Sequence, residues 1–285
     1  MEVAFAMSST FVFASGKGGV GKSTLSASLA VLLARAGRSV VLLDADLGLR
    51  SQDLFLGLEN SVVYDLMDVA SGKCLLSQAL LEAPDLPGLS LLPAAQFVRA
   101  KDLDPRKLKK MLSLLRKEHD FILIDCPAGL ERGLRNVLNA GRGLETILVL
   151  TPDDLCVRDG EQVISLLEEK KLPPPRLLVN RLQPDLIHAG EMYSARTVAQ
   201  VLDVPLLGEV PEDPMVYRAQ LRRRLPVDFH CEARTALLRI ADRLQGKDPP
   251  FPDYGRKKRS FLRRHFAPRP RELAPVQGAP ADRDR

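Results

Sequence analysis

The 285-residue chain has no stretch of eighteen consecutive apolar residues, which excludes a membrane-spanning helix of ordinary length. Its first thirteen residues are mildly apolar but lack a basic leading segment and a small-residue cleavage pattern. They run straight into a glycine-rich loop that needs a strand before it, so they read as strand rather than signal peptide. Cysteine is scarce and scattered: Cys74, Cys126, Cys156 and Cys231 form no C-x-x-C pair. That spacing argues against a zinc site, a disulfide framework or a cluster-bridging iron–sulfur carrier, and it fits a reducing cytosol. Basic residues are not in excess where a DNA-binding body would need them. Residues 254–285 hold ten Lys/Arg against three Asp/Glu, while the rest of the chain holds 31 basic and 33 acidic residues. The formal net charge of +5 therefore belongs to the tail alone.

What is present is an alternation of short apolar runs with amphipathic stretches. Strands are predicted at 11–14, 39–44, 89–93, 121–125, 146–150, 176–180 and 206–210, and helices at 23–36, 104–117, 158–170 and 195–202. Near-continuous apolar strands alternating with helices predict an α/β fold, a mainly parallel sheet covered by helices on both faces. Such sheets bind ligands at the carboxyl ends of their strands. A last helix near 233–245 precedes the breakers Pro249, Pro250 and Pro252. The expected organisation is a nucleotide-binding domain over 10–248, a short amphipathic segment over 254–267, and a disordered tail over 268–285.

Between the first strand and first helix lies Gly16-Lys17-Gly18-Gly19-Val20-Gly21-Lys22-Ser23-Thr24. It satisfies G-x-x-x-x-G-K-[ST], the phosphate loop, whose glycines let the backbone wrap a phosphate with its N–H groups inward. The helix beginning near Lys22 adds its positive end. Lys22 is placed to neutralise the β- and γ-phosphates of ATP, and the Ser23 hydroxyl to hold Mg²⁺. Gly16, Gly18 and Gly21 also satisfy G-x-G-x-x-G, but a dinucleotide site has no use for the Lys-Ser that follows. The run 121–125 ends in Asp125 and reads as the second metal-binding strand, with Gly129 near the γ-phosphate. Asp44 and Asp46 end another strand and share a face, since residues i and i+2 of a strand point the same way. The alternative for Asp44 is capping of the turn that follows.

The form K-G-G-V-G-K-S-T, with its extra Lys17, resembles the deviant Walker A motif of the MinD and ParA ATPases. The resemblance becomes specific to the MinD family at Gly48-Leu49-Arg50-Ser51-Gln52-Asp53, at Tyr64-Asp65, at Ala94-Ala95-Gln96 and at Cys126-Pro127-Ala128-Gly129-Leu130-Glu131. It covers about residues 10–267, and Ser51 stands where many relatives carry Asn. It implies a SIMIBI-type P-loop fold, an ATP-dependent homodimer and ATP hydrolysis stimulated by a partner. It implies that Lys17 reaches across to the partner's nucleotide, supplying transition-state charge in trans. It also implies that Asp46 orients the attacking water and that Asp44 supports Mg²⁺ and the switch. Asn180-Arg181 and Pro211-Glu212-Asp213 follow late strands and resemble the family's adenine-contacting loops. Val157-Arg158-Asp159 opens a helix that helps bind regulators in the family.

The segment 256–267 is polarised. At 100° per residue Phe261, Leu262, His265 and Phe266 share one side, and Arg256, Lys257, Arg259, Arg263 and Arg264 occupy the other, with Lys258 crossing over. A basic amphipathic helix of this kind lies in the headgroup region of an anionic membrane. The resemblance then implies a cytoplasmic protein, peripheral on the inner membrane face when ATP-bound, that regulates division-site placement. Its implied partners are a MinC-like inhibitor and a MinE- or DivIVA/MinJ-type positioning system. A ParA-type DNA-segregation ATPase and a flagellar-number regulator of similar build are the alternatives. The acidic body and the Phe/Leu side of the tail weigh against nucleic acid.

Overall fold

Every residue of the runs 40–44 and 121–125 is buried, the signature of strands covered on both sides. The computed structural model describes residues 8–48, 50–96, 103–130, 132–252 and 254. Its eight strands are β1 (Ser9–Ala14), β2 (Val40–Asp44), β3 (Leu81–Glu82), β4 (Leu89–Leu92), β5 (Phe121–Asp125), β6 (Leu144–Leu150), β7 (Arg176–Leu182) and β8 (Leu206–Pro211). They form one sheet in the order β3-β4-β2-β5-β1-β6-β7-β8. All pairs are parallel except β3 with β4. The seven predicted strands are all there. β3, two residues long, carries no periodic signal and was not predicted.

Eleven α-helices are seen among the described residues: α1 (Lys22–Arg35), α2 (Gln52–Leu56), α3 (Leu66–Ser71), α4 (Leu76–Ala79), α5 (Pro105–Leu115), α6 (Arg132–Leu138), α7 (Asp154–Glu169), α8 (Pro184–Ala189), α9 (Ala195–Leu202), α10 (Pro214–Leu221) and α11 (Glu232–Leu244). α1 and α11 pack on each other and on β2 and β8, while α7 and α9 pack on each other and on β6, β7 and β8. α7 starts four residues before its predicted start, because Asp153 Oδ1 accepts from Cys156 N at 3.0 Å and caps it. Val157, Arg158 and Asp159 therefore sit inside the first turns of α7 rather than at its opening. None of the helices among the described residues is long and apolar enough to cross a membrane. The amphipathic segment, with Lys257, Phe261, Leu262, Arg263, Arg264 and Phe266, lies outside the described residues.

The strand order places the site. β5 inserts between β1 and β2, so the loops leaving all three strands meet at one edge. Asp44 and Asp125, the last residues of β2 and β5, are register partners. The chain reverses direction across the sheet at β1, between β5 and β6. Ligands of open α/β sheets bind at such a point.

Candidate nucleotide site

The phosphate loop leaves β1 through buried Ser15, whose hydroxyl donates to Lys17 O at 2.9 Å. Ser15 O in turn accepts from Gly129 N at 2.9 Å, tying the loop after β5 to the phosphate loop. A Cβ on Gly16 would collide with the backbone of Asp159 in α7. Gly21 has φ +96°, and a Cβ there would run into the Asn180 amide. Asn180 Nδ2 donates to Val20 O at 2.8 Å, so β7 braces the loop from the far side. Gly21 precedes α1 with no side-chain cap, which leaves the first N–H groups of the helix without a side-chain acceptor. An anion fills that role readily.

Lys22, only 7% exposed, places Nζ 3.8 Å from Asp125 Oδ1, and Asp125 is fully buried. Among the described residues Asp125 Oδ1 has no hydrogen-bond partner, while Oδ2 accepts from Gln52 Nε2 at 2.6 Å. Both oxygens of buried Asp44 are taken: Oδ1 accepts from Asp46 N at 3.0 Å, and Oδ2 from Ser51 N at 3.1 Å and Gln52 N at 3.2 Å. Asp44 therefore caps the turn after β2, the alternative left open by the sequence, while standing beside Asp125. Burial, and then the neighbouring Asp125 charge, push its carboxyl up to about 8. Burial also raises Asp125, opposed first by the Lys22 ammonium. Asp46, half-buried, is raised by burial, with Lys22 again acting the other way. Two buried carboxylates side by side against one lysine form a site short of positive charge. An orphaned carboxylate oxygen and a glycine cradle fit a divalent cation held next to a phosphate group. Mg²⁺ with ATP meets that description, and Ser23 and Asp125 are the oxygen donors that could hold the metal, with Asp44 behind them.

A cleft of about 350 Å³ opens beside the loop, and Gly21, Thr24, Asn180, Arg181, Pro211 and Glu212 line it together. Asn180 and Arg181 fall within β7, and Pro211 ends β8, rather than following the strands as expected. The reason is irregular register between β7 and β8, whose pairing resumes at Leu182 with Pro211 and so extends both strands. Gln183 Nε2 lies 2.5 Å from Glu212 Oε2 and fixes one rim. Lys17, Gly18 and Gly19 stand exposed at the loop front. Two participants escaped sequence reasoning. Gln52 belongs to the run 48–53 that carries part of the family resemblance but gave no sign of its burial, and Gln220 of α10 donates to Thr24 Oγ1 at 3.0 Å across 196 residues.

The profile of the CobQ/CobB/MinD/ParA nucleotide binding domain matches residues 11–227. The sequence is 41% identical over 266 residues to the putative septum site-determining protein MinD of Guillardia theta, covering 91% of this chain and 98% of that one. The chain belongs to the MinD family of deviant Walker A P-loop ATPases. Another family member, the septum site-determining protein MinD of Synechocystis, is 40% identical over 262 residues, 90% of this chain and 97% of its own. The fold of the family is equally recognisable. MinD in the MinC:MinD cell division protein complex of Aquifex aeolicus superposes with a TM-score of 0.79 at 34% identity, covering 87% of this chain and all of that one. MinD of Pyrococcus horikoshii, complexed with Mg-ADP, gives 0.74 at 32% identity, covering 84% of this chain and 96% of that one.

Proposed function

We propose that the protein hydrolyses ATP as a dimer, binds the inner face of the cell membrane in its ATP form, and regulates where the division septum is placed. The observation that carries the reading is the junction of the phosphate loop with Lys22, Asp44 and Asp125. It occurs in a chain aligned over nearly its full length with septum site-determining relatives.

The backbone N–H groups from Gly16 to Thr24 hold the phosphates of ATP, and Lys22 offsets their charge. Ser23 and Asp125 hold Mg²⁺, with Asp44 supporting them. Bound Mg²⁺ supplies the charge that neutralises phosphate oxygens during transfer. Asn180, Arg181, Pro211 and Glu212 enclose the adenine in the cleft. Asp46 orients the attacking water. Beside the ATP phosphates it acts by positioning more than by strong base action. Lys17, exposed at the loop front, is free to reach a second subunit's nucleotide, as an arginine finger does.

Membrane attachment rests on sequence. Phe261, Leu262 and Phe266 enter the headgroup boundary, and Lys257, Arg263 and Arg264 each contribute roughly 1 kcal/mol on an anionic surface. So short a helix binds weakly alone, and two on an ATP-held dimer gain by avidity. A MinC-like inhibitor and a MinE- or DivIVA/MinJ-type positioning system are the proposed partners. The MinC:MinD complex of the Aquifex relative supports the first of them.

Co-sedimentation with anionic vesicles in ATP, ADP or no nucleotide tests this, beside a chain ending at Asp253. Pelleting should require both ATP and the segment after Asp253. Equal pelleting in all three states, or steeply salt-dependent retention on DNA without lipid binding, would reject the membrane switch.

A further inference from the structure

Gln52 opens α2 with its whole side chain buried. Its Nε2 lies 2.6 Å from Asp125 Oδ2, 3.2 Å from Ser26 Oγ and 3.3 Å from Ser23 O, while its Oε1 meets no hydrogen-bond partner among the described residues, so only the nitrogen end of the buried amide is repaid for its desolvation. Two of these partners, a carboxylate and a carbonyl, can only accept, so the nitrogen must face them and the amide cannot be turned over. The backbone N of the same residue donates to Asp44 Oδ2 at 3.2 Å. One residue of the segment after β2 thus bonds both strand-end carboxylates and the backbone of Ser23.

We propose that Gln52 is a positioning residue for Mg²⁺, holding the Asp125 carboxylate by one oxygen so that the other faces the metal. The inference rests on the ATPase reading and adds a residue to it. Its geometry is asymmetric in the required sense: Asp125 Oδ2 is held by Gln52, and Oδ1 has no hydrogen-bond partner among the described residues and lies toward Lys22. A hydrogen bond to an ionised acceptor is short and directional, so it fixes the rotation of the carboxylate as well as its place. Because Ser23 is held by its carbonyl, the same amide also sets the two proposed oxygen donors relative to each other. The backbone link to Asp44 ties the start of α2 to this arrangement. Metal arriving at Asp125 is thereby felt by the segment that follows β2. A methionine would fill the same volume without desolvating an amide, so the amide's contribution is separable from packing.

The test uses the full chain and methylanthraniloyl-ADP as probe, titrated with Mg²⁺, for the unsubstituted protein, Gln52→Met and Gln52→Asn. The reading is the Mg²⁺ concentration at half-effect, with nucleotide-free unfolding midpoints measured alongside. Removing an outer-shell partner of a metal ligand typically weakens metal affinity about 10- to 100-fold, and both variants should show a rise of that order. Gln52→Asn shows it because its amide falls one methylene short of Asp125. Should Gln52→Met fail to fold, Gln52→Asn, which keeps the site polar, decides alone. A Mg²⁺ dependence superimposable on that of the unsubstituted protein overturns the assignment, whatever happens to the unfolding midpoint. Absence of probe binding by the unsubstituted protein overturns the ATPase reading, and this inference with it.

Discussion

Replacing Lys22 with Met tests whether the nucleotide-free site is held together by charge. Lys22 Nζ stands 3.8 Å from a fully buried carboxylate, with the side chain itself 7% exposed. At that separation and an effective dielectric of about 20, the attraction is about 4 kcal/mol. Removing one member of a buried pair costs about 3–5 kcal/mol, because the remaining charge is left uncompensated. The carboxylate pair has an escape, however, in taking up a proton. Burial already raises Asp125 above its ordinary range, and loss of the opposing Lys22 raises it further. For an acid whose folded pKa is raised, stability declines as pH climbs from the unfolded value towards the folded one. In the variant that decline continues to higher pH. The two stability curves should therefore lie within about 1 kcal/mol of each other at pH 5 and separate by about 3–4 kcal/mol at pH 9. Urea unfolding of both proteins without nucleotide or metal measures the gap. Added salt should change it little, since buried pairs are weakly screened. A gap of the same size at both pH values would mean that Lys22 contributes packing, and would refute the charge argument.

Lys17→Ala, at an exposed loop position, should leave the unfolding midpoint and ATP affinity of the isolated chain nearly unchanged while lowering turnover about 10³-fold, the scale of losing an arginine finger. Phosphate release beside fluorescent-nucleotide binding measures both, and loss of affinity equal to the loss of turnover would contradict a role in trans. Gly208→Ala in β8 would drive a methyl group into Ile240 of α11 and should destabilise the fold by about 1–3 kcal/mol. Adding Ile240→Ala should recover part of that loss in urea unfolding if the collision is its cause.

Much of this protein is legible in its sequence because the signals are local. The apolar runs ending in Asp44 and Asp125 are buried throughout, so composition alone marks them as interior strands. The phosphate loop is legible for the same reason: its glycines act through the backbone and its lysine and serine through their side chains, all within nine consecutive residues. Where a cap is formed by a side chain next to its helix, as at Asp153, the boundary shifts by a turn but the element does not.

Tertiary structure decided what depends on strand order. Only the insertion of β5 between β1 and β2 brings Asp44 level with Asp125, and that neighbour adds to burial in pushing Asp44 up to about 8. Gln52 and Gln220 could not be read in advance, since a glutamine near a turn gives no sign of the partners 73 and 196 residues away that it meets. The meeting of Asn180 and Glu212 beside Gly21 depends likewise on the pairing of β7 with β8. Sequence determined the chemistry available at each strand end, because a few consecutive residues suffice to specify it. The fold determined which of those ends face one another, because that is settled by packing across the whole sheet.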